Sequence, residues 1–169
     1  DEREKVIDMM RGEARKLDDV ATSITRFGEL LGTGPVARQQ AAAFRSRVKA
    51  LATRYAGRPK VRVFYQVWDK PLYTLSGDHI VSDAVRVCGG ENVFADLRVM
   101  APAVSLEAVL QRDPEAILGD EQHGPDDAGI MLWKPYKSMT AVARGNLFTL
   151  RGELLTRAGP RITDGVTQV

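Results

Sequence analysis

From Val61 to Trp68 the chain reads VRVFYQVW, an apolar run rich in β-branched and aromatic residues that ends against Asp69-Lys70-Pro71. Such residues suit a pleated, buried backbone, and the run is long enough for one strand. Proline has no amide hydrogen for a strand ladder, so the strand stops there. Beyond the break, His79–Val87 repeats apolar residues at helical spacing (Ile80, Ala84, Val87), and Gly89-Gly90 closes that helix. A strand that loops into a helix is the unit of open α/β folds, which present ligands outside the carboxyl ends of their strands. Trp68 stands at such an end.

The remainder of the chain fits this frame. Leu17, Val20, Ile24, Phe27 and Leu31 recur at three- and four-residue spacing, which predicts a helix over Leu17–Leu31 with Asp18 and Asp19 suited to its N-terminal dipole. Gly32-Thr33-Gly34-Pro35 ends it and starts a second, Val36–Tyr55, with Phe44, Val48, Leu51 and Tyr55 as its apolar stripe. Twenty helical residues reach about 30 Å, the length of a strut across a small domain. From Lys60 the pattern alternates: strand 60–67, helix 79–88, helix 105–111 capped by Ser105, strand 115–118, helix 126–137, strand 146–150 and helix 160–168. A short strand over Val6–Met10 precedes all of these. Alternation of this kind predicts a mostly parallel sheet flanked by helices.

Composition narrows the function classes. The chain has 169 residues, 44% hydrophobic and 27% charged, with a net charge of +2. That is room for one domain with a core, or one lobe and a connecting element. A nucleic-acid footprint is not indicated, because the cationic run from Arg45 to Lys60 is interleaved with Ala, Leu and Val and reads as a solvated helix face. No apolar stretch approaches the roughly 20 residues of a membrane span. No signal-peptide pattern is present and the first residue is Asp1, which reads as a processed or excised piece. The single Cys88 makes no internal disulfide and reads as a small buried side chain. His79 and His123, the two histidines, are isolated, so no metal site is expected. Neither a Gly-x-Ser-x-Gly elbow nor a Walker loop occurs, and the acid pairs Asp18-Asp19 and Asp126-Asp127 read as helix-start charges, so catalysis is not expected.

Five segments together resemble one known family. FYQVWDKPLYTLSG, CGGENVFADL, APAVSLEAVLQRDPEAIL, TAVARGNLF and RAGPRITDG stand in the order and at the spacing of the periplasmic cobalamin-binding proteins that feed ABC importers. Related proteins of that group carry haem or iron–siderophores. The resemblance implies a two-lobed α/β protein, with a long helix joining the lobes and the ligand in the cleft between them. Residues 1–34 then correspond to a remnant of the N-terminal lobe, 35–57 to the inter-lobe strut and 58–169 to the C-terminal lobe. It implies periplasmic localisation, cobalamin as transported ligand with no covalent cofactor, and importer membrane subunits as partners. With most of one lobe unaccounted for, a bared apolar face would invite association.

Four residues carry the expected site. Trp68 offers a flat indole to a planar macrocycle, its alternative being a tryptophan packed under the following loop. Tyr73 lies in the same loop. Trp133, in LWKPYKSM, falls where the resemblance implies a cleft tryptophan, with core packing as the other reading; Tyr136 beside it reads as structural. Glu107, in VSLEAVL, sits in a first helical turn, where an acid is favoured by the dipole. The resemblance gives Glu107 a second use, pairing with arginines of the permease, a contact that steers more than it binds. Arg161 reads as structural, or as a neighbour of that docking surface. A haem or iron–siderophore carrier on the same scaffold, and a small α/β enzyme or oligomerising domain, are the alternatives, since a fold does not fix function.

Overall fold

The computed structural model describes residues 14–120, 128–150, 155 and 161–166. The expected strand at Val6–Met10, His123 and the pair Asp126-Asp127 lie outside the described residues.

Helix α1 spans Leu17–Leu30. The Asp19 carboxylate accepts the backbone N–H groups of Arg15 and Lys16 at 3.0 and 2.9 Å and fixes its start. Helix α2, Gly34–Tyr55, has Pro35 in its first turn, where the missing N–H has no helical partner to lose. The two helices touch so closely that a Cβ on Gly28 would stand 2.0 Å from the Ala37 Cβ. Strand β1 is Val61–Gln66. A hairpin follows, of β2 (Trp68–Asp69) and β3 (Leu72–Tyr73), then helix α3 (Ile80–Val87). His79 caps α3, its Nδ1 accepting the Val81 N–H at 3.1 Å. Gly89, at φ 83°, ends it in a conformation costly for a residue with a Cβ.

Strand β4 (Gly90–Asn92), helix α4 (Leu106–Arg112), strand β5 (Ala116–Asp120), a 3-10 turn (Gly129–Trp133), helix α5 (Thr140–Ala143), strand β6 (Leu147–Leu150) and helix α6 (Ile162–Val166) complete the described order. Ser105 caps α4, its Oγ accepting the Ala108 N–H at 3.1 Å. Asp113 leaves α4 in the left-handed region at φ 42°. Its carboxylate accepts the N–H and O–H of Thr140 at 2.8 and 2.6 Å, which ties α4 to α5.

The sheet runs β4-β1-β5-β6 and every pairing is parallel, as the alternating sequence predicts. Strand alternation sends side chains to two cores. Val63 and Tyr65 of β1 join Ala116 and Leu118 of β5 under Leu17, Val20, Phe44, Ile80, Val85 and Ile162. Phe64 and Ile117 point the other way, to Val109, Ile130, Trp133 and Met139. Each such side chain, fully buried, contributes about 1.5–3 kcal/mol relative to exposure. α1 and the first half of α2 share a core with the sheet, and the Leu17 N–H binds the Asp83 carboxylate of α3 at 2.9 Å.

Three local expectations are corrected. The helix over 126–137 is, in its described part, a five-residue 3-10 turn, because Pro135 prevents its continuation. The stretch after Trp68 is a paired hairpin and not a plain loop. Gly90 is the first residue of β4, beyond the helix stop at Gly89.

Candidate functional site

β1 is a central strand, and its carboxyl end continues through one residue, Val67, into the hairpin. The Val67 N–H donates to the Tyr73 carbonyl at 2.9 Å, and Trp68 pairs with Tyr73 and Asp69 with Leu72. Period-two alternation therefore gives the hairpin two faces. Trp68 and Tyr73, each 37% exposed, lie side by side on the outer one; Leu72 and Asp69 are buried on the inner one. The Trp68 indole N–H donates to the Lys70 carbonyl at 3.0 Å, which folds the ring over the turn.

A third extended segment widens this surface. Tyr73 bridges to Ala103, the Val104 N–H donates to the Leu72 carbonyl at 2.9 Å, Thr74 donates to Pro102 at 3.1 Å and Ser76 to Met100 at 2.9 Å. Val99, Ala101 and Ala103 are exposed along it. The two rings thus stand beside the shorter side chains of Val99, Ala101 and Ala103. Sequence reasoning did not assign 99–103 to the site, although its small exposed residues around Pro102 are the readable signal. The buried Thr74 hydroxyl donates to the Tyr65 carbonyl at 2.7 Å and holds β3 to β1. Beneath, the Tyr65 hydroxyl binds Asp120 at the end of β5. Burial first, and the Asp120 charge second, push the phenol far above its usual range, so Tyr65 is neutral and donates.

The other expected residues are placed as follows. Trp133 is 0% exposed and presents no surface to a ligand. Gln66, the last residue of β1, accepts its indole N–H at 2.6 Å and donates to the Gly129 carbonyl at 2.9 Å. Phe64 meets Trp133 edge-on at 5.6 Å, and Tyr136 packs against it at 6.0 Å. Trp133 is therefore the support behind the site, the core-packing alternative. Glu107 is exposed on the first turn of α4, three residues past the Val104 amide bound to β3. Because α4 leads down into β5, that turn lies at the carboxyl end of the sheet, beside the hairpin. Arg161 is exposed, its carbonyl accepting the Asp164 N–H at 2.9 Å. Cys88 is half-buried near the Val166 carbonyl, and burial pushes its thiol up to about 11.

Among the described residues no group of three His, Cys, Asp or Glu could hold a metal ion, and no helix is long and apolar enough to cross a membrane. Two cavities, about 410 Å³ beside Arg62, Asn92 and Arg112 and about 310 Å³ between Arg47, Arg54 and Thr163, do not include the hairpin.

A parallel sheet carries the aromatic hairpin at its carboxyl edge, and the chain belongs to the periplasmic binding protein family, whose model matches residues 3–154. Among its relatives is the vitamin B12-binding protein of Vibrio cholerae, 34% identical over 158 residues, 93% of this chain and 56% of that one. The vitamin B12-binding protein of Yersinia pestis is 34% identical over 146 residues, 86% of this chain and 50% of that one. The chain thus spans about half the length of the curated relatives it matches. The crystal structure of the periplasmic vitamin B12-binding protein BtuF of Vibrio cholerae superposes with a TM-score of 0.82 at 31% identity, covering 99% of this chain and 68% of that one. A possible iron-binding periplasmic protein of Staphylococcus epidermidis shares the fold, with a TM-score of 0.80 at 24% identity over 91% of this chain and 61% of that one.

Proposed function

We propose that this chain forms the C-terminal lobe, with its preceding helices, of a substrate-binding protein that captures cobalamin in the periplasm and delivers it to an ABC importer. The observation that carries this is the pair Trp68 and Tyr73, fixed at the carboxyl end of β1 in a chain 34% identical to vitamin B12-binding proteins. The corrin lies against Trp68 and Tyr73, with Val99, Ala101 and Ala103 beside them and Trp133 behind. A second lobe closes over the other face, and α2 belongs to the connection between the two. Binding and release involve no bond chemistry. The exposed Glu107, at the same end of the sheet, pairs with cations of the membrane subunits when the loaded protein docks.

The test is calorimetric titration of the intact protein with cyanocobalamin, haem and a ferric siderophore. Saturable binding of cyanocobalamin alone supports the reading; binding of haem or the siderophore in its place overturns the ligand. Glu107→Ala leaves cobalamin affinity unchanged and weakens capture by importer reconstituted in nanodiscs. Equal loss of both removes the docking role.

A further inference from the structure

The inner face of the hairpin holds a residue that the ligand wall alone does not explain. Leu72 is buried there against the lower core, as an inward position in a strand should be. Its cross-strand partner is Asp69, a carboxylate only 8% exposed. Burying a carboxylate is unfavourable unless hydrogen bonds replace its water. Asp69 has such a bond: its Oδ2 accepts the backbone N–H of Ala128 at 3.1 Å. Ala128 immediately precedes the 3-10 turn that ends in Trp133, and that turn is joined to β1 by the Gln66 side chain. Among the described residues the hairpin is held at its base, its side and its tip. Val67 and Thr74 tie it to β1 at its base, Tyr73 and Leu72 tie it to the 100–104 segment at its side, and the Asp69 carboxylate ties its tip to the residue that opens the 3-10 turn.

We infer that Asp69 is a positioning residue: its buried carboxylate, through the Ala128 amide, fixes the pitch of the hairpin and so the plane in which Trp68 and Tyr73 meet the ligand. Trp68 is adjacent to Asp69 and points to the opposite face, so a rotation of the strand that released Asp69 would tilt the indole. A leucine at position 69 would suit burial better, but it would give the tip nothing directional to hold. The inference rests on the hairpin being the ligand wall.

The experiment uses the intact protein labelled with 5-fluorotryptophan. Asp69→Leu keeps the bulk and removes the acceptor, whereas Asp69→Asn keeps an acceptor oxygen. Asp69→Leu shifts or broadens the Trp68 fluorine resonance, leaves that of Trp133 in place, and weakens cyanocobalamin binding about tenfold, the effect of one hydrogen bond. Asp69→Asn stays close to wild type in both. A purely structural role would move both resonances together and track the melting temperature. Ala128→Pro removes the donor instead, at a φ of −72° that proline accepts. Its effect is not additive with Asp69→Leu. The inference is overturned if Asp69→Leu matches wild type, if Asp69→Asn falls as far as Asp69→Leu, or if the two losses add. Should the wild-type protein bind no cobalamin, the ligand reading fails, while the fluorine spectra still decide whether Asp69 holds the hairpin.

Discussion

The chain's two tryptophans stand on either side of the end of β1 and live in opposite environments. Trp133 is sealed between Phe64, Tyr136 and Gln66, with its N–H satisfied by a side chain 67 residues away in sequence. Trp68 stands on a two-residue strand with its N–H turned back on its own hairpin and a third of its surface open. An indole beside a binding surface can therefore be its frame or its face. The partner of the ring N–H separates the two, since a buried polar atom needs a fixed acceptor and an exposed one does not.

The largest effect should come from breaking the frame. Trp133→Ala leaves a cavity beside Phe64 and strands the Gln66 oxygen; a loss of about 3–5 kcal/mol in denaturant-unfolding free energy is expected. Trp133→Phe keeps most of the ring and strands only that oxygen, so about 1–3 kcal/mol is expected. If Trp133→Phe costs nothing, the Gln66 bond is not part of the frame. Trp68→Ala should do the reverse. Its unfolding free energy falls by about 1 kcal/mol, less than for Trp133→Ala because a third of the ring is already open to solvent. Its cyanocobalamin affinity drops by about 2 kcal/mol, the scale of an aromatic anchor. A Trp68→Ala protein that melts early yet binds normally would exchange the two roles.

The smallest effect sharpens the frame further out. Asp113 is held below the usual carboxylate range by the Thr140 hydroxyl first and the Thr140 amide second, with Arg62 and Arg144 adding their charge. Its folded value is depressed, so this contribution is complete above the unfolded value near 3.9 and fades as pH falls through the folded one. Wild type should therefore be more stable than Asp113→Asn at neutral pH. The gap should narrow as pH falls below the unfolded value in parallel urea melts. Asparagine tolerates the left-handed backbone there, so the comparison removes the charge and one of the two acceptor oxygens without straining the turn.

Much of the fold could be read from residue order. The VRVFYQVW run, the Ile80–Val87 periodicity, the Ser105 cap and the alternation of elements all carry local signals, and each element formed where its signal lies. The hairpin was hidden because its strands are two residues long and enclose a proline, so no periodicity can build up. The 99–103 shelf was hidden for a different reason. It exists only through pairing with β3, some thirty residues earlier in the chain, and such pairing leaves no mark on either segment alone. Trp133 was the hardest to place. It sits between an apolar run, Ile130-Met131-Leu132, and the polar Lys134, so its own segment does not say which way it faces, and the residues that bury it, Phe64 and Gln66, arrive from β1.

The missing side chain at Gly28 has a mechanical consequence. With the Ala37 methyl occupying the space a Cβ would need, α1 and α2 mesh and cannot slide past one another without first separating. The start of α1 is also fastened to α3 through Leu17 and Asp83. A displacement delivered to α1 is therefore passed to the sheet as rotation of one body and is not absorbed as slip between helices.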